Sequence, residues 1–158
     1  MKKKLNLFIG FLTFLLVTSC GFKIIDQSKL ENFKIQNLIV TGEKRINYKL
    51  KNKLLSKSNN IDNRSIIIEL ETSKIKNINE KNIKNKITKY QLEITVDIKF
   101  YETDSKIPDN FTVVESGNYL VSEKYSQTLN NERKLVDILV ENIANKIKNN
   151  LIKRFNDL

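Results

Sequence analysis

The chain has 158 residues, with 28 lysine or arginine and 18 aspartate or glutamate residues, so its formal net charge is +10. It has no histidine and only one cysteine, Cys20, so the commonest general base, the commonest metal ligand and a ready thiol nucleophile are all scarce or missing. Its 4 glycines are isolated and cannot build a phosphate-cradling loop. The composition favours binding or assembly and predicts no enzyme activity, no metal site and no cofactor.

The N-terminal segment has the pattern of a secretory signal. Met1-Lys2-Lys3-Lys4 is a positive region, and the apolar run from Leu5 to Val17 is too short to span a bilayer as a helix. Val17-Thr18-Ser19-Cys20 resembles the lipobox of bacterial lipoproteins, in which a peptidase cuts before a diacylglyceryl-modified cysteine. We expect residues 1–19 to be removed and Cys20 to become an acylated N-terminus that anchors the chain to a membrane. The alternative is a buried free cysteine.

The predicted anchor has consequences for the mature chain. Acylation of Cys20 leaves no intramolecular disulfide, so the fold rests on packing alone. The mature chain stays basic, and after export its expected partners are phosphorylated lipid headgroups or acidic protein surfaces and not nucleic acid. Asp directly after the acylated cysteine resembles a signal for retention in the inner membrane, and here that residue is Gly21. We therefore expect a lipid-anchored protein of the outer membrane that faces the periplasm.

After the anchor, the first predicted elements are a tether, a strand and a helix. Residues 20–32 have no hydrophobic period and are predicted to be a lipidated tether, and residues 33–158 are predicted to form a single domain. From Phe33 to Val40 the pattern predicts a first strand. Ile46, Leu50 and Leu54 then recur every four residues, which predicts a helix of about three turns.

Three further strands are predicted. The first is the β-branched run Ser65 to Thr72, which is followed by an Asn- and Lys-rich stretch, Ser73 to Lys86, that is either a long hairpin tip or the ends of two strands. Tyr90 to Phe100 has one apolar and one polar face, which is typical of an antiparallel sheet covered on one side. The chain is predicted to be extended again from Phe111 to Tyr125, and Gly117 within it indicates a bulge or a close backbone approach.

The last element is predicted to be a long helix that begins near Asn130 or Asn131 and carries an apolar stripe from Leu135 to Leu151. Glu132 would lie in its first turn, where a negative charge suits the helix dipole. The predicted order is β-α-β-β-β-α. The most economical architecture is an α+β fold with a single mainly antiparallel four-stranded sheet and two helices packed on one face.

Two groups of charged residues are candidates for a site. Glu69 and Glu71 share a strand face and could act as acid and base, but paired carboxylates beside many lysines are usually solvated charge. The lysines between the second and third strands, with Lys81, Lys84 and Lys86 among them, could bind phosphate as point charges. The alternative is that they are solvating loop lysines of a lysine-rich chain.

Several short motifs together resemble one family. They are Cys20-Gly21-Phe22, Tyr90-Gln91-Leu92 at the start of the long strand, Gly117-Asn118-Tyr119 to Tyr125-Ser126, and Asn131-Glu132 before the last apolar stripe. With the order of elements, they make the chain similar to the lipopolysaccharide-assembly lipoproteins of the LptE family over nearly all of its mature length.

The resemblance implies a protein that fills the lumen of the outer-membrane β-barrel LptD, helps it to fold and binds lipopolysaccharide on its way to the outer leaflet. It also implies basic lipid A contacts in the hairpin before the long strand, where this chain has Lys81, Lys84 and Lys86. A second basic region is implied just ahead of the last helix. This chain departs from that pattern, since it has Thr128-Leu129-Asn130-Asn131 there.

Two other functions are compatible with the residues. An auxiliary lipoprotein of an envelope ABC transporter would also be small, α+β, anchored and non-catalytic. A hydrolase is disfavoured by the missing histidine. Co-purification with a large barrel or with inner-membrane transporter subunits separates the first two.

Overall fold

A computed structural model describes residues 34–55, 65–103 and 107–156 of the chain. The predicted signal peptide, Cys20 and the predicted tether lie outside the described residues. The elements are β1 (Lys34–Gly42), α1 (Lys44–Leu55), β2 (Ser65–Lys81), β3 (Ile87–Glu102), β4 (Asp109–Leu120) and α2 (Tyr125–Asn156). The predicted α+β fold and its order of elements are confirmed.

The four strands form one sheet in the order β1-β2-β3-β4. β2 pairs antiparallel with β3, and β3 pairs antiparallel with β4. β1 is parallel to β2, with Lys34 opposite Ser65 and Gly42 opposite Thr72. The reason is that α1 carries the chain back along the sheet, so β2 starts at the same end as β1. The sheet is therefore mixed, although most of its pairing is antiparallel as predicted.

Both helices cover the same face of the sheet. Ion pairs from Lys49 to Asp137 and from Lys53 to Glu141 join α1 to α2. Alternate strand residues point under the helices and are buried: Ile66, Ile68, Leu70, Leu92, Ile94, Val96, Ile98, Phe100, Val113 and Tyr119. The helices contribute Ile46, Leu50, Leu54, Val136, Leu139, Val140, Ile143, Ala144, Ile147 and Leu151 to the same core. The opposite face of the sheet carries no helix of the described chain.

The passage from β4 into α2 differs from the prediction. β4 ends at Leu120 and α2 already begins at Tyr125, so an extended segment to Tyr125 and a helix start near Asn130 or Asn131 were both wrong. The early start is held by Thr128, whose hydroxyl accepts the Ser122 N–H at 2.9 Å. Asn131 caps no helix, and its side-chain amide instead donates to the Leu120 carbonyl at 3.0 Å.

The Asn- and Lys-rich stretch Ser73 to Lys86 consists mainly of strand, because β2 runs to Lys81 and β3 begins at Ile87. Of the two predicted alternatives, the ends of two strands is the correct one.

Gly117 also has a clear role: it pairs in register with Leu92, so it forms no bulge. A Cβ there would lie 2.8 Å from Leu135 Cδ1, so the glycine makes room for an α2 side chain.

Candidate functional site

The β2–β3 hairpin ends in a turn that is organised by one asparagine. The Asn82 side-chain oxygen accepts the backbone N–H groups of Lys84 and Lys86, each at 3.0 Å. Asn85 donates its N–H to the Asn82 carbonyl at 2.9 Å and has a φ of 57°, a left-handed conformation that asparagine tolerates. The local sequence therefore builds a defined turn at the tip of the hairpin.

The turn brings together the three lysines that were predicted as lipopolysaccharide contacts. Lys81 is the last residue of β2, and Lys84 and Lys86 follow in the turn, all three exposed. None of them forms an ion pair with another residue in the part of the chain that the structure describes. Ile83 stands fully exposed between them. The tip thus combines three positive charges with one apolar side chain.

Two other lysines of the same stretch do not join the tip. Lys76 Nζ lies 3.0 Å from Glu132 Oε2, and Lys74 Nζ lies 3.7 Å from Glu132 Oε1. Because Lys74 and Lys76 point to the helix side of β2, they tie the hairpin to α2. Glu132 is only 18% exposed in its side chain and lies in the second turn of α2, not in the first turn as predicted.

Two tyrosines complete this cluster under the hairpin. The Tyr119 hydroxyl donates to Glu132 Oε2 at 2.8 Å. The rings of Tyr90 and Tyr119 stack with centroids 5.7 Å apart. Lys76 Nζ lies 4.2 Å from the Tyr90 centroid and 5.2 Å from the Tyr119 centroid, within range of a cation–π interaction. We call Tyr90, Lys74, Lys76, Tyr119 and Glu132 the hairpin anchor.

The contacts within the anchor shift the pKa values of Glu132, Lys76 and Tyr119. Partial burial acts to raise the pKa of Glu132, but hydrogen bonds from Lys76 and Tyr119 and the nearby ammonium charges outweigh it and hold that pKa below its ordinary value. Burial acts to lower the pKa of Lys76, and its bonds to Tyr119 and Glu132 reverse this and raise the pKa. Burial and the Glu132 carboxylate raise the pKa of Tyr119. The cluster therefore keeps its charges at neutral pH.

The open face of the sheet is the second candidate surface. It carries the carboxylates of Glu69, Glu71, Glu93 and Asp97, and Lys99 is the cation among them, because these side chains alternate with the buried ones along β2 and β3. Lys99 Nζ lies 3.7 Å from Glu69 Oε2, and Asp97 accepts the Thr112 hydroxyl at 2.6 Å. A shallow cavity of about 400 Å³ lies on this face, with Ile39 and Thr112 in its lining.

Glu69 and Glu71, the predicted acid–base pair, lie on the open face as expected. Glu69 is ion-paired with Lys99, however, and the cavity beside the two carboxylates is open to solvent. The lining of this cavity has three carboxylates and one lysine, on a protein whose net charge is +10. Sequence reasoning identified the polar face but not the hairpin anchor, for which the available signal was Tyr119 and Glu132 in the family motifs.

The described residues contain neither a membrane-spanning helix nor a candidate metal site. Neither of the helices in residues 34–55 and 107–156 combines the length and the hydropathy needed to cross a bilayer. Within the same described ranges and residues 65–103, no group of three acidic or cysteine side chains is placed to hold a metal ion.

The fold is shared with a solved structure. No family model and no curated protein matches the chain. The backbone is similar to that of a candidate lipoprotein from Caulobacter crescentus, with a TM-score of 0.56 and 15% identity over 83% of this chain and 95% of that one. Rare lipoprotein B from Shewanella oneidensis matches at a TM-score of 0.49 and 15% identity, over 77% of this chain and 94% of that one. An uncharacterized lipoprotein B from Nitrosomonas europaea matches at 0.46 and 14%, over 81% and 88%. At these identities the likeness to the Caulobacter protein shows a common fold.

Proposed function

We propose that the chain is an outer-membrane lipoprotein, anchored through acylated Cys20 and facing the periplasm, that assembles with and plugs the LptD β-barrel. In this role it aids folding of the barrel and insertion of lipopolysaccharide into the outer leaflet. The observation that carries the proposal is the one-sided sheet, whose helix-covered face holds the core while its open face is mainly polar, with the exposed side chains of Ile39, Ile75, Val114 and Leu120 among the polar ones.

A polar sheet face suits the lumen of an outer-membrane barrel. Such lumens are lined by polar side chains, and a protein inside one must satisfy many polar groups. The open face offers carboxylates, hydroxyls and amides on β3 and β4, with Gln91, Thr95 and Asn118 among them, although Val114 and Leu120 on β4 are exposed apolar side chains. A lipid surface would demand the opposite pattern.

Three further observations support the proposal. The signal sequence and lipobox predict export and acylation at Cys20, and the motifs around Tyr119 and Glu132 are similar to those of the LptE family. The fold is that of a candidate bacterial lipoprotein. The exposed tip with Lys81, Lys84 and Lys86 offers phosphate-binding cations, and Ile83 beside them offers an apolar contact for acyl chains.

Photo-crosslinking in intact cells tests the assembly. We expect a crosslinker in place of Lys99 or Asn118 on the open face, or of Ser122 between β4 and α2, to trap a much larger outer-membrane protein. The same sites in an unacylated Cys20→Ala chain are the control, which is expected to remain an unprocessed precursor without palmitate. Adducts only to inner-membrane components would contradict the proposal and favour the transporter alternative.

A further inference from the structure

β1 covers only part of the edge of β2. The last pair between them is Gly42 with Thr72, and Gly42 has a φ of 92° that turns the chain into α1. A Cβ at Gly42 would lie 2.0 Å from the Thr72 carbonyl oxygen, so only glycine allows this departure. Beyond Thr72, β2 continues to Lys81, and no other strand of the described chain runs along that edge.

The backbone of this segment presents hydrogen-bonding groups outward. Glu43 donates its N–H towards the Thr72 carbonyl at 3.3 Å, so the polar backbone groups of Thr72 point to the β1 side. Because the N–H and C=O groups of successive residues point to alternate sides of a strand, those of Lys74, Lys76 and Ile78 point the same way. Their intervening neighbours pair with β3. The free edge, residues 73–81, therefore has an unused set of backbone donors and acceptors within the described structure.

A cavity lies beside the place that β1 leaves. Its volume is about 290 Å³, and its lining combines apolar side chains from both helices, Ile46, Leu129 and Val136, with basic ones. The basic side chains are Arg45, Lys49, Lys74 and Arg133, and the acidic ones are Glu43, Glu132 and Asp137. A strand laid on the free edge would point every second side chain to the helix side and so towards this cavity.

The charges around the edge select the occupant. Arg45 and Arg133 form no ion pair with another described residue, whereas Lys74 and Lys76 share the single carboxylate of Glu132. A second copy of the chain would set its own edge lysines against these, which is the usual way in which proteins prevent edge-to-edge pairing. Acidic side chains on the helix side of an added strand would meet the unpaired arginines. On the other side the added strand would lie beside Ile75, which is half-exposed.

We propose that the free edge is a docking site for an extended segment of a partner protein that alternates acidic and apolar residues and adds to the sheet as a fifth strand next to β2. Main-chain hydrogen bonds to Lys74, Lys76 and Ile78 hold the segment, and the charges of the cavity select acidic side chains. The proposal rests on the sheet edge and is independent of the function of the hairpin tip.

Amide hydrogen exchange on the full mature chain in detergent micelles tests it. The probe is the capped peptide Val-Glu-Val-Glu-Val-Glu-Val, and the same peptide with lysine in place of glutamate is the control. At ten times the Kd, binding is expected to slow exchange of the Lys74, Lys76 and Ile78 amides about tenfold, because the open edge is then free only about a tenth of the time. The Ser73, Ile75 and Asn77 amides, which already face β3, are expected to change little.

A pair of variants separates the backbone from the side chain. Lys76→Pro removes one outward N–H, a change that edge strands accept. Lys76→Ala keeps that N–H and removes only the side-chain contacts with Glu132, Tyr90 and Tyr119, which the proline variant loses as well. We expect the proline variant to bind the acidic peptide at least about tenfold more weakly than the alanine variant, since one tenfold step corresponds to a single lost hydrogen bond of about 1.4 kcal/mol.

Three results would overturn the proposal. One is binding of the acidic peptide without protection of the outward amides, which would mean simple charge attraction. Another is equal binding of the lysine peptide. The third is protection of the same amides in the free chain, which would mean that the chain itself or a second copy already fills the edge.

Discussion

The Tyr119 hydroxyl donates a 2.8 Å hydrogen bond to Glu132 and thereby joins the end of β4 to the second turn of α2. The same carboxylate accepts from Lys76 on β2 at 3.0 Å. β2, β4 and α2 therefore meet at one acidic side chain. This contact fixes the hairpin against the helix and directs its tip, with Lys81, Lys84 and Lys86, away from the core.

Tyr119→Phe is expected to lower the free energy of unfolding by about 1.5 to 3 kcal/mol, because the lost hydrogen bond is made to a charged, mostly buried carboxylate. Urea unfolding followed by circular dichroism measures the loss. Tyr90→Phe is the matched control: its ring keeps the stacking and the contact with Lys76, and the change is expected to cost less than about 0.5 kcal/mol. Equal losses in the two variants would show that ring packing, not the hydroxyl, stabilises the anchor.

The stability of the anchor should depend on acid pH. The pKa of Glu132 is lower in the folded state than its ordinary value of 4.5, so its ionised form stabilises the fold fully above that value. The stabilisation is lost as the pH falls from there through the folded-state pKa. We expect Glu132→Gln to flatten the acid limb of the stability profile. Measurements at raised salt screen the exposed carboxylates Glu80, Asp109 and Glu141, whose pKa values are also lowered by their cationic partners. An unchanged acid limb in Glu132→Gln would contradict this role.

The two faces of β3 should respond differently to truncation. Ile94 is fully buried under the helices, and Ile94→Ala is expected to cost about 2 to 5 kcal/mol through lost burial and the cavity left behind. Thr95 lies on the open face, and Thr95→Ala is expected to cost less than about 1 kcal/mol. Urea unfolding of both purified variants gives the comparison. Similar losses would mean that the isolated chain already buries both faces of its sheet.

Much of the fold follows from local hydrophobic period. The alternation from Tyr90 to Phe100 predicts β3 and its buried face, and the four-residue spacing of Ile46, Leu50 and Leu54 predicts α1, because both patterns record which side chains avoid water. The apolar stripe from Leu135 to Leu151 identifies the part of α2 that covers the sheet. The parallel pairing of β1 with β2 follows from the crossover through α1.

The features that the sequence could not supply depend on particular polar contacts, which leave no hydrophobic period in the sequence. The first turn of α2 around Tyr125 has no apolar stripe and is fixed by the bond between Thr128 and Ser122. Lys74 and Lys76 look like the other lysines of the hairpin, and only the position of Glu132 on α2 separates them from the tip. Composition alone cannot distinguish an anchoring lysine from an exposed one.

The two structural glycines should differ sharply in their tolerance of alanine. At Gly42 a Cβ would collide with backbone, 2.0 Å from the Thr72 oxygen, and φ is positive, so Gly42→Ala is expected to cost at least about 2 kcal/mol. At Gly117 the neighbour is a terminal methyl of Leu135, which can rotate away, and the expected cost is below about 1 kcal/mol. Urea unfolding of both variants measures the difference. A larger loss at Gly117 would show that α2 cannot adjust against β4.

The tip lysines give the last prediction. If the exposed tip binds the phosphates of lipid A, Lys81→Glu with Lys84→Glu is expected to weaken lipopolysaccharide binding at least about tenfold. The wild-type affinity should fall with added salt, because exposed charge interactions are screened beyond about 8 Å at physiological ionic strength. Assembly with the barrel should be unchanged, since the open sheet face is intact.

The matched control is Lys51→Glu with Lys153→Glu, which changes the net charge equally at exposed positions on the two helices. Lipopolysaccharide titration of the three proteins measures the affinities. Equal weakening in both double variants would assign the effect to net charge, and unchanged binding in the tip variant would place the lipid contact elsewhere on the domain.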